Sequence, residues 1–168
     1  MNENMKLVFM RHGIAEDGGF GMDDRDRQLT KDGIVKTRVI GDYLDKIKLK
    51  FDEICTSPYA RALKTAEIIA DALGQMDKLT VESGLAPGFQ MSDLVRIMHD
   101  KNRRGRYLFV GHNPSFSIVP MELIGGGNIE LKKGGIISIE TDIIQPGAGL
   151  LEWMLTPGLM VKANGESS

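Results

Sequence analysis

Lys6-Leu7-Val8-Phe9-Met10, an apolar run halted by Arg11-His12-Gly13, sets a pattern that the chain uses three times. Phe51 to Thr56 is the second run, closed by Ser57-Pro58 with Arg61 shortly after, and Tyr107-Leu108-Phe109-Val110 is the third, closed by Gly111-His112-Asn113-Pro114. Each is short, rich in strand formers and bounded by turn residues, and so predicts a β-strand. Gly135 to Thr141 and Leu150 to Thr156, which contains Trp153, predict two more.

Helical patterns fill the gaps. Thr30 is an N-cap, Asp32 sits in the first turn, and Ile40, Tyr43, Leu44 and Ile47 follow at helical spacing. Pro58 suits the first turn of a second helix, whose stripe Leu63, Ala66, Ala70, Leu73 ends at Gly74. Met91 to His99 predicts a third, and Ser115 to Leu123 a fourth that stops at Gly125-Gly126-Gly127. Glu16 to Gln28 lacks periodicity, carries Gly18, Gly19 and Gly21, and predicts a long mobile loop. Strands alternating with helices at this spacing predict a three-layer α/β/α sandwich with a mostly parallel central sheet.

The 168 residues suit a single domain, 1–168, with 161–168 as a loose tail. Apolar residues are 42% and charged residues 26%, and 21 basic against 23 acidic side chains leave a formal net charge of −2. Such a balance argues against a disordered chain and against a nucleic-acid partner held by bulk positive charge. No apolar run approaches the ~18–20 residues that span a bilayer, so neither membrane anchor nor signal peptide is predicted. One cysteine, Cys55, excludes an internal disulfide and fits a reducing, cytoplasmic compartment. Three histidines without a close pair, and no carboxylates at ligand spacing, predict neither a metal nor another cofactor. A monomer is expected.

In open α/β sheets, ligands bind beyond the carboxyl ends of the strands. Arg11, His12, Arg61 and His112 all fall at such ends and can converge on one pocket. Two guanidinium forks match the oxygens of a phosphoryl group, and a neutral imidazole is a competent nucleophile at phosphorus near neutral pH. His12 is the expected nucleophile, because its neighbour Gly13 leaves backbone room for phosphate. Arg11 and Arg61 would neutralise charge, and His112 would donate to a non-bridging oxygen in the transition state.

Three motifs carry a resemblance across most of the chain: Leu7-Val8-Phe9-Met10-Arg11-His12-Gly13, Thr56-Ser57-Pro58-Tyr59-Ala60-Arg61-Ala62-Leu63-Lys64-Thr65-Ala66, and Val110-Gly111-His112-Asn113-Pro114. In this order the sequence resembles the histidine phosphatase, or phosphoglycerate mutase-like, superfamily. The absence of large insertions makes it most similar to the short protein-phosphohistidine phosphatases of the SixA type, and Arg27-Gln28-Leu29-Thr30 and Trp153-Met154-Leu155-Thr156-Pro157 fit them too. The resemblance implies a pocket of Arg11, His12, Arg61 and His112, with His12 phosphorylated during turnover. It also implies substrate contacts from Arg27, Gly13, Ser57 and Asn113, with Asp24 orienting Arg27 or acting as an acid.

Relatives that cleave oxygen esters use a carboxylic acid after the strand near residue 81. Here that stretch is Thr80-Val81-Glu82-Ser83-Gly84-Leu85-Ala86-Pro87-Gly88, and Glu82 is its one acid. An imidazole leaving group can be protonated near neutral pH, so cleavage of a phosphorus–nitrogen bond depends less on such an acid. The expected substrate is therefore a phosphohistidine-bearing protein, such as a histidine phosphotransfer domain, reaching a shallow, open site. A small-molecule or aryl phosphomonoesterase of the same superfamily is the rival enzyme, and a non-catalytic phosphate-binding module the rival of another class.

Overall fold

The computed structural model describes residues 4–165. The apolar runs become strands of one six-stranded sheet, and their pairing brings the three motifs side by side. The strands are β1 (Met5–Arg11), β2 (Glu53–Thr56), β3 (Leu79–Val81), β4 (Arg106–Gly111), β5 (Ile136–Thr141) and β6 (Leu150–Leu155), in the spatial order β3-β2-β4-β1-β5-β6. β3, β2, β4 and β1 run parallel, and β5 is antiparallel to both β1 and β6. The helices are α1 (Lys31–Lys46), α2 (Ala60–Ala72), α3 (Met91–Met98), α4 (Ser115–Leu123) and α5 (Pro157–Ala163).

Side chains of a strand alternate between faces, so β1 feeds two cores at once. Val8 and Met10 pack with Ile40, Leu44, Ala66 and Ile69 of α1 and α2, and with Met160 of α5. Leu7 and Phe9 pack with Leu94 of α3 and with Phe116, Val119 and Leu123 of α4. Leu7, Val8, Phe9 and Met10 are fully buried. Both faces are thus covered, giving the expected three layers and explaining why β1 is apolar at four successive positions, Leu7 to Met10, rather than at alternate ones.

Thr30 caps α1 as expected, its Oγ1 accepting from the Gly33 amide at 2.9 Å. Pro58 lies ahead of the first turn of α2, which is preceded by Tyr59 as N-cap; Ser57 Oγ holds this turn by accepting from the Tyr59 amide at 3.2 Å. The expected tail is shorter at its start, because 161–163 complete α5, which Thr156 caps and the buried Met160 anchors. Residues 166–168 of that tail lie outside the described residues. Among the described residues, no helix is long and apolar enough to cross a membrane.

Candidate active site

Parallel pairing of β2, β4 and β1 aligns their carboxyl ends, with Arg11 opposite Gly111 and Thr56 opposite Val110. His12 follows β1, His112 follows β4, and Arg61 enters from the first turn of α2. The rings of His12 and His112 lie 5.2 Å apart between centroids. All three side chains are buried, with His12 7%, Arg61 5% and His112 3% exposed.

Two hydrogen bonds assign the His12 tautomer. Nδ1 lies 2.7 Å from the Gly13 carbonyl oxygen, which can only accept, so Nδ1 carries the proton. At the other end, Arg61 Nε donates to Nε2 at 3.2 Å, so Nε2 holds a lone pair. The imidazole is thus neutral, with its lone pair on Nε2. Gly13 is in turn fixed by its amide, which donates to Thr65 Oγ1 at 3.1 Å, while Thr65 Oγ1 donates to the Arg61 carbonyl at 2.7 Å.

Burial in this cationic pocket keeps both imidazoles uncharged. Desolvation, with the charges of Arg61 and Arg11 adding to it, lowers the His12 pKa to about 4 despite the opposing bond to Gly13. Desolvation, then the proximity of His12 and Arg61, lowers His112 to about 3. Below pH 6.5 the unfolded chain binds protons that the folded protein refuses, so these histidines favour the fold fully above pH 6.5 and progressively less as pH falls towards 4. We predict that the His12 and His112 imidazole resonances of the ligand-free protein stay constant from pH 8 to about pH 5, while Tm falls between pH 6.5 and 4. A His12 midpoint near 6.5 would contradict the assignment.

Arg11 Nη1 donates to the Leu131 carbonyl at 3.0 Å, and His112 Nε2 lies 2.7 Å from Ser57 Oγ. Arg11 Nε and His112 Nδ1 are buried without a hydrogen-bond partner among the described residues. Unpartnered buried polar atoms are uncommon, and two on residues of one pocket suit groups that take their partner from a bound phosphoryl group. Tyr59 packs on this pocket, its ring 5.2 Å from that of His112 and 5.3 Å from the Arg61 guanidinium carbon. Tyr59 and Thr65 both belong to the second motif, in which residue type alone assigns neither a task.

Asp24 reaches the same place from the 16–28 loop. Its Oδ2 accepts from Arg61 Nη2 at 2.9 Å, its Oδ1 from Arg27 Nη1 at 2.9 Å, and its carbonyl from Arg61 Nη1 at 2.6 Å. Arg27 Nε donates to the Glu16 carbonyl at 2.8 Å, which ties the two ends of the loop. Hydrogen bonds from Arg27 and Arg61 hold the Asp24 carboxyl below the usual carboxylate range, so it is ionised at neutral pH. Asp24 therefore fits the orienting role rather than the acid.

Gly13 and Asn113, two of the expected contacts, and Glu82, the candidate acid, have protein partners of their own. Gly13 gives its amide and carbonyl to Thr65 and His12, and it is glycine because a Cβ there would lie 2.6 Å from Thr37 Oγ1 of α1. Asn113 Nδ2 donates to the Leu131 carbonyl at 3.0 Å and its Oδ1 accepts from the Ser117 hydroxyl at 3.1 Å, bracing the loop. Glu82 groups with Glu53 and Cys55, their ligand atoms within 4.8 Å of one another, in a cluster that Lys101 enters by its bond to Glu53. That places Glu82 in the neighbourhood of Lys101. Burial pushes the Cys55 thiol up to about 12, as for an inert core residue.

A two-layered sheet cover with paired arginines and histidines at adjoining strand ends defines a phosphoryl-handling α/β protein, and comparison with known proteins gives its family. The histidine phosphatase superfamily (branch 1) matches residues 7–87, and the chain belongs to this superfamily. An uncharacterised protein of Picosynechococcus is 34% identical over 143 residues, spanning 82% of this chain and 86% of that protein. Phosphohistidine phosphatase SixA of Escherichia coli is 25% identical over 156 residues, spanning 91% of this chain and 94% of that one. A solved structure of the protein histidine phosphatase SixA complexed with tungstate superposes with a TM-score of 0.81 at 24% identity, covering 92% of this chain and 98% of that one. The fold is the phosphoglycerate mutase-like one expected from the motifs.

Proposed function

We propose that the protein is a phosphatase that removes the phosphoryl group from a phosphohistidine-bearing protein through a covalent intermediate on His12. The observation that carries this reading is the fixed tautomer of His12, with the Nε2 lone pair beside the Arg61 guanidinium at 3.2 Å. In the first step that lone pair attacks phosphorus, and the bond from phosphorus to the substrate's imidazole nitrogen breaks with its electron pair returning to that nitrogen, which takes a proton from solvent. In the second, water attacks phosphorus, the bond to Nε2 breaks, and phosphate leaves with the water's proton passing to it or to solvent. Arg11, Arg61 and His112 stabilise the non-bridging oxygens throughout. Every charge in this scheme is met by a side chain, and chelation by EDTA is expected to leave the rate unchanged.

Support for phosphohistidine over an alkyl ester comes from the carboxyls. Glu82 lies with Cys55 and Lys101, and Asp24 is ionised, so neither supplies a proton to an alkoxide. The test is a side-by-side rate comparison on a phosphohistidine-labelled histidine phosphotransfer domain, phenyl phosphate and an alkyl phosphate. Rates falling in that order support the reading. Faster hydrolysis of the alkyl ester would favour a small-molecule phosphatase, and no turnover on any would favour a phosphate-binding module.

Asp24→Asn checks the orienting role. A lost general acid lowers the rate by about 10²–10⁴ and most for the alkyl ester, whereas a lost orienting charge acts alike on all three substrates. We predict a loss of about tenfold or less with unaltered substrate preference, visible chiefly in KM, since Arg27 loses its tether to Arg61.

A further inference from the structure

Beside Gly13, but lined by none of Arg11, His12, Arg61 or His112, lies a cavity of about 270 Å³ between α1, α5 and the loop ahead of β5. Its apolar wall is formed by Ile14, Ile40 and Val161, and its lining also includes Lys36, Lys133 and Lys162, all three exposed. Lys36 is occupied by an exposed pair with Asp32 at 3.1 Å, on its own helix. Lys133 and Lys162 have no ion-pair partner among the described residues. In a chain whose net charge is −2, two free cations and a third lysine around one apolar recess form a local reversal of sign.

An apolar body with a charged rim of one sign is complementary to an amphipathic ligand of the other. The volume is slightly below the ~300–1,000 Å³ of typical ligand sites, which limits the occupant to a single ring system or a short chain. We propose that this cavity is a binding site for a small amphipathic anion, a carboxylate or sulfonate on an aryl or short alkyl body. The apolar part would lie against Ile14, Ile40 and Val161, and the anionic group would face Lys133 and Lys162. Lys133 also lies close enough to His12 for its charge to bear on that imidazole, and Gly13, which orients His12 Nδ1, is part of the lining. Occupancy at this site would thus adjoin the catalytic group without touching its substrate face.

The test titrates naphthalene-2-sulfonate, and the uncharged 2-naphthalenemethanol, into the full chain by calorimetry. Gly158 lines the cavity and a Cβ there meets no atom within 4 Å, so Gly158→Leu fills the recess without a backbone clash. Expected are saturable one-to-one binding of the sulfonate, loss of it in Gly158→Leu, and about tenfold weaker binding in the Lys133→Gln, Lys162→Gln double variant, the effect of two partly screened charges. Saturating inorganic phosphate, which competes for the catalytic arginines, should leave sulfonate binding unchanged. The absence of saturable binding, equal affinity for the uncharged compound, binding that survives Gly158→Leu, or displacement by phosphate would each overturn the proposal. Binding alone is read, so the outcome does not depend on the reaction at His12.

Discussion

Turnover is expected to fall by about 10⁴–10⁶ when His12 is replaced by alanine, the range seen when a covalent nucleophile is removed while the rest of its site remains. The loss should appear in kcat on every substrate, because Nε2 forms a bond in the transition state that no neighbour reproduces. Circular dichroism and Tm should change little, since the substitution leaves the strand ladder and both cores untouched. Added imidazole should restore part of the rate on phenyl phosphate by entering the space left beside Arg61. Retention of more than about 1% of the activity, after correction for contaminating phosphatase, would remove His12 from the nucleophile's role.

Arg61→Ala should cost about 10³ in kcat/KM. This is the upper end of the ordinary loss of one transition-state donor, about 10²–10³, because Arg61 has two tasks. It supplies fixed positive charge to the phosphoryl oxygens, and its Nε holds the Nε2 end of His12 at 3.2 Å. Arg61→Lys keeps the charge but not the planar fork, so it should recover no more than a tenth of the lost rate. Stability should fall by less than about 2 kcal/mol, because Asp24, the ionic partner left behind, is half exposed and keeps Arg27. Equal activity in Arg61→Lys and the natural protein would mean that net charge, not geometry, is what the site requires.

The parts of the site legible in the sequence were those whose chemistry is set by residue type and by position at a strand end. Arginine and histidine at the close of an apolar strand have few structural uses, and three such strands in a parallel sheet must end together. Gly13 and Asn113 were harder, since sequence position does not say where an amide or carbonyl turns: Gly13 serves Thr65 and His12, and Asn113 serves Leu131 and Ser117. The Leu131 carbonyl, which holds Arg11, has no sequence signal because every residue carries one. Asp24 reaches Arg61 only through the folding of the whole 16–28 loop, a long-range event. Helix α5 was legible in principle. Thr156-Pro157 is an N-cap followed by a proline at the first helical position, but the adjoining Gly158 reads as a breaker.

Ser57 Oγ, at 2.7 Å from His112 Nε2, is a hydroxyl of the same pocket, and a phosphoryl group on serine leaves different chemistry behind from one on histidine. A phosphorus–nitrogen bond on histidine is cleaved by acid and survives alkali, whereas a serine phosphate survives acid. The decisive measurement is therefore rapid alkaline quenching of the protein during turnover of a radiolabelled phosphohistidine domain, followed by peptide mapping of the retained label. Expected is an acid-labile, alkali-stable phosphoryl group on His12 that forms and decays at rates compatible with turnover and is absent from His12→Ala. Label on Ser57, acid-stable label, or turnover with no phosphorylated protein at any time would contradict it.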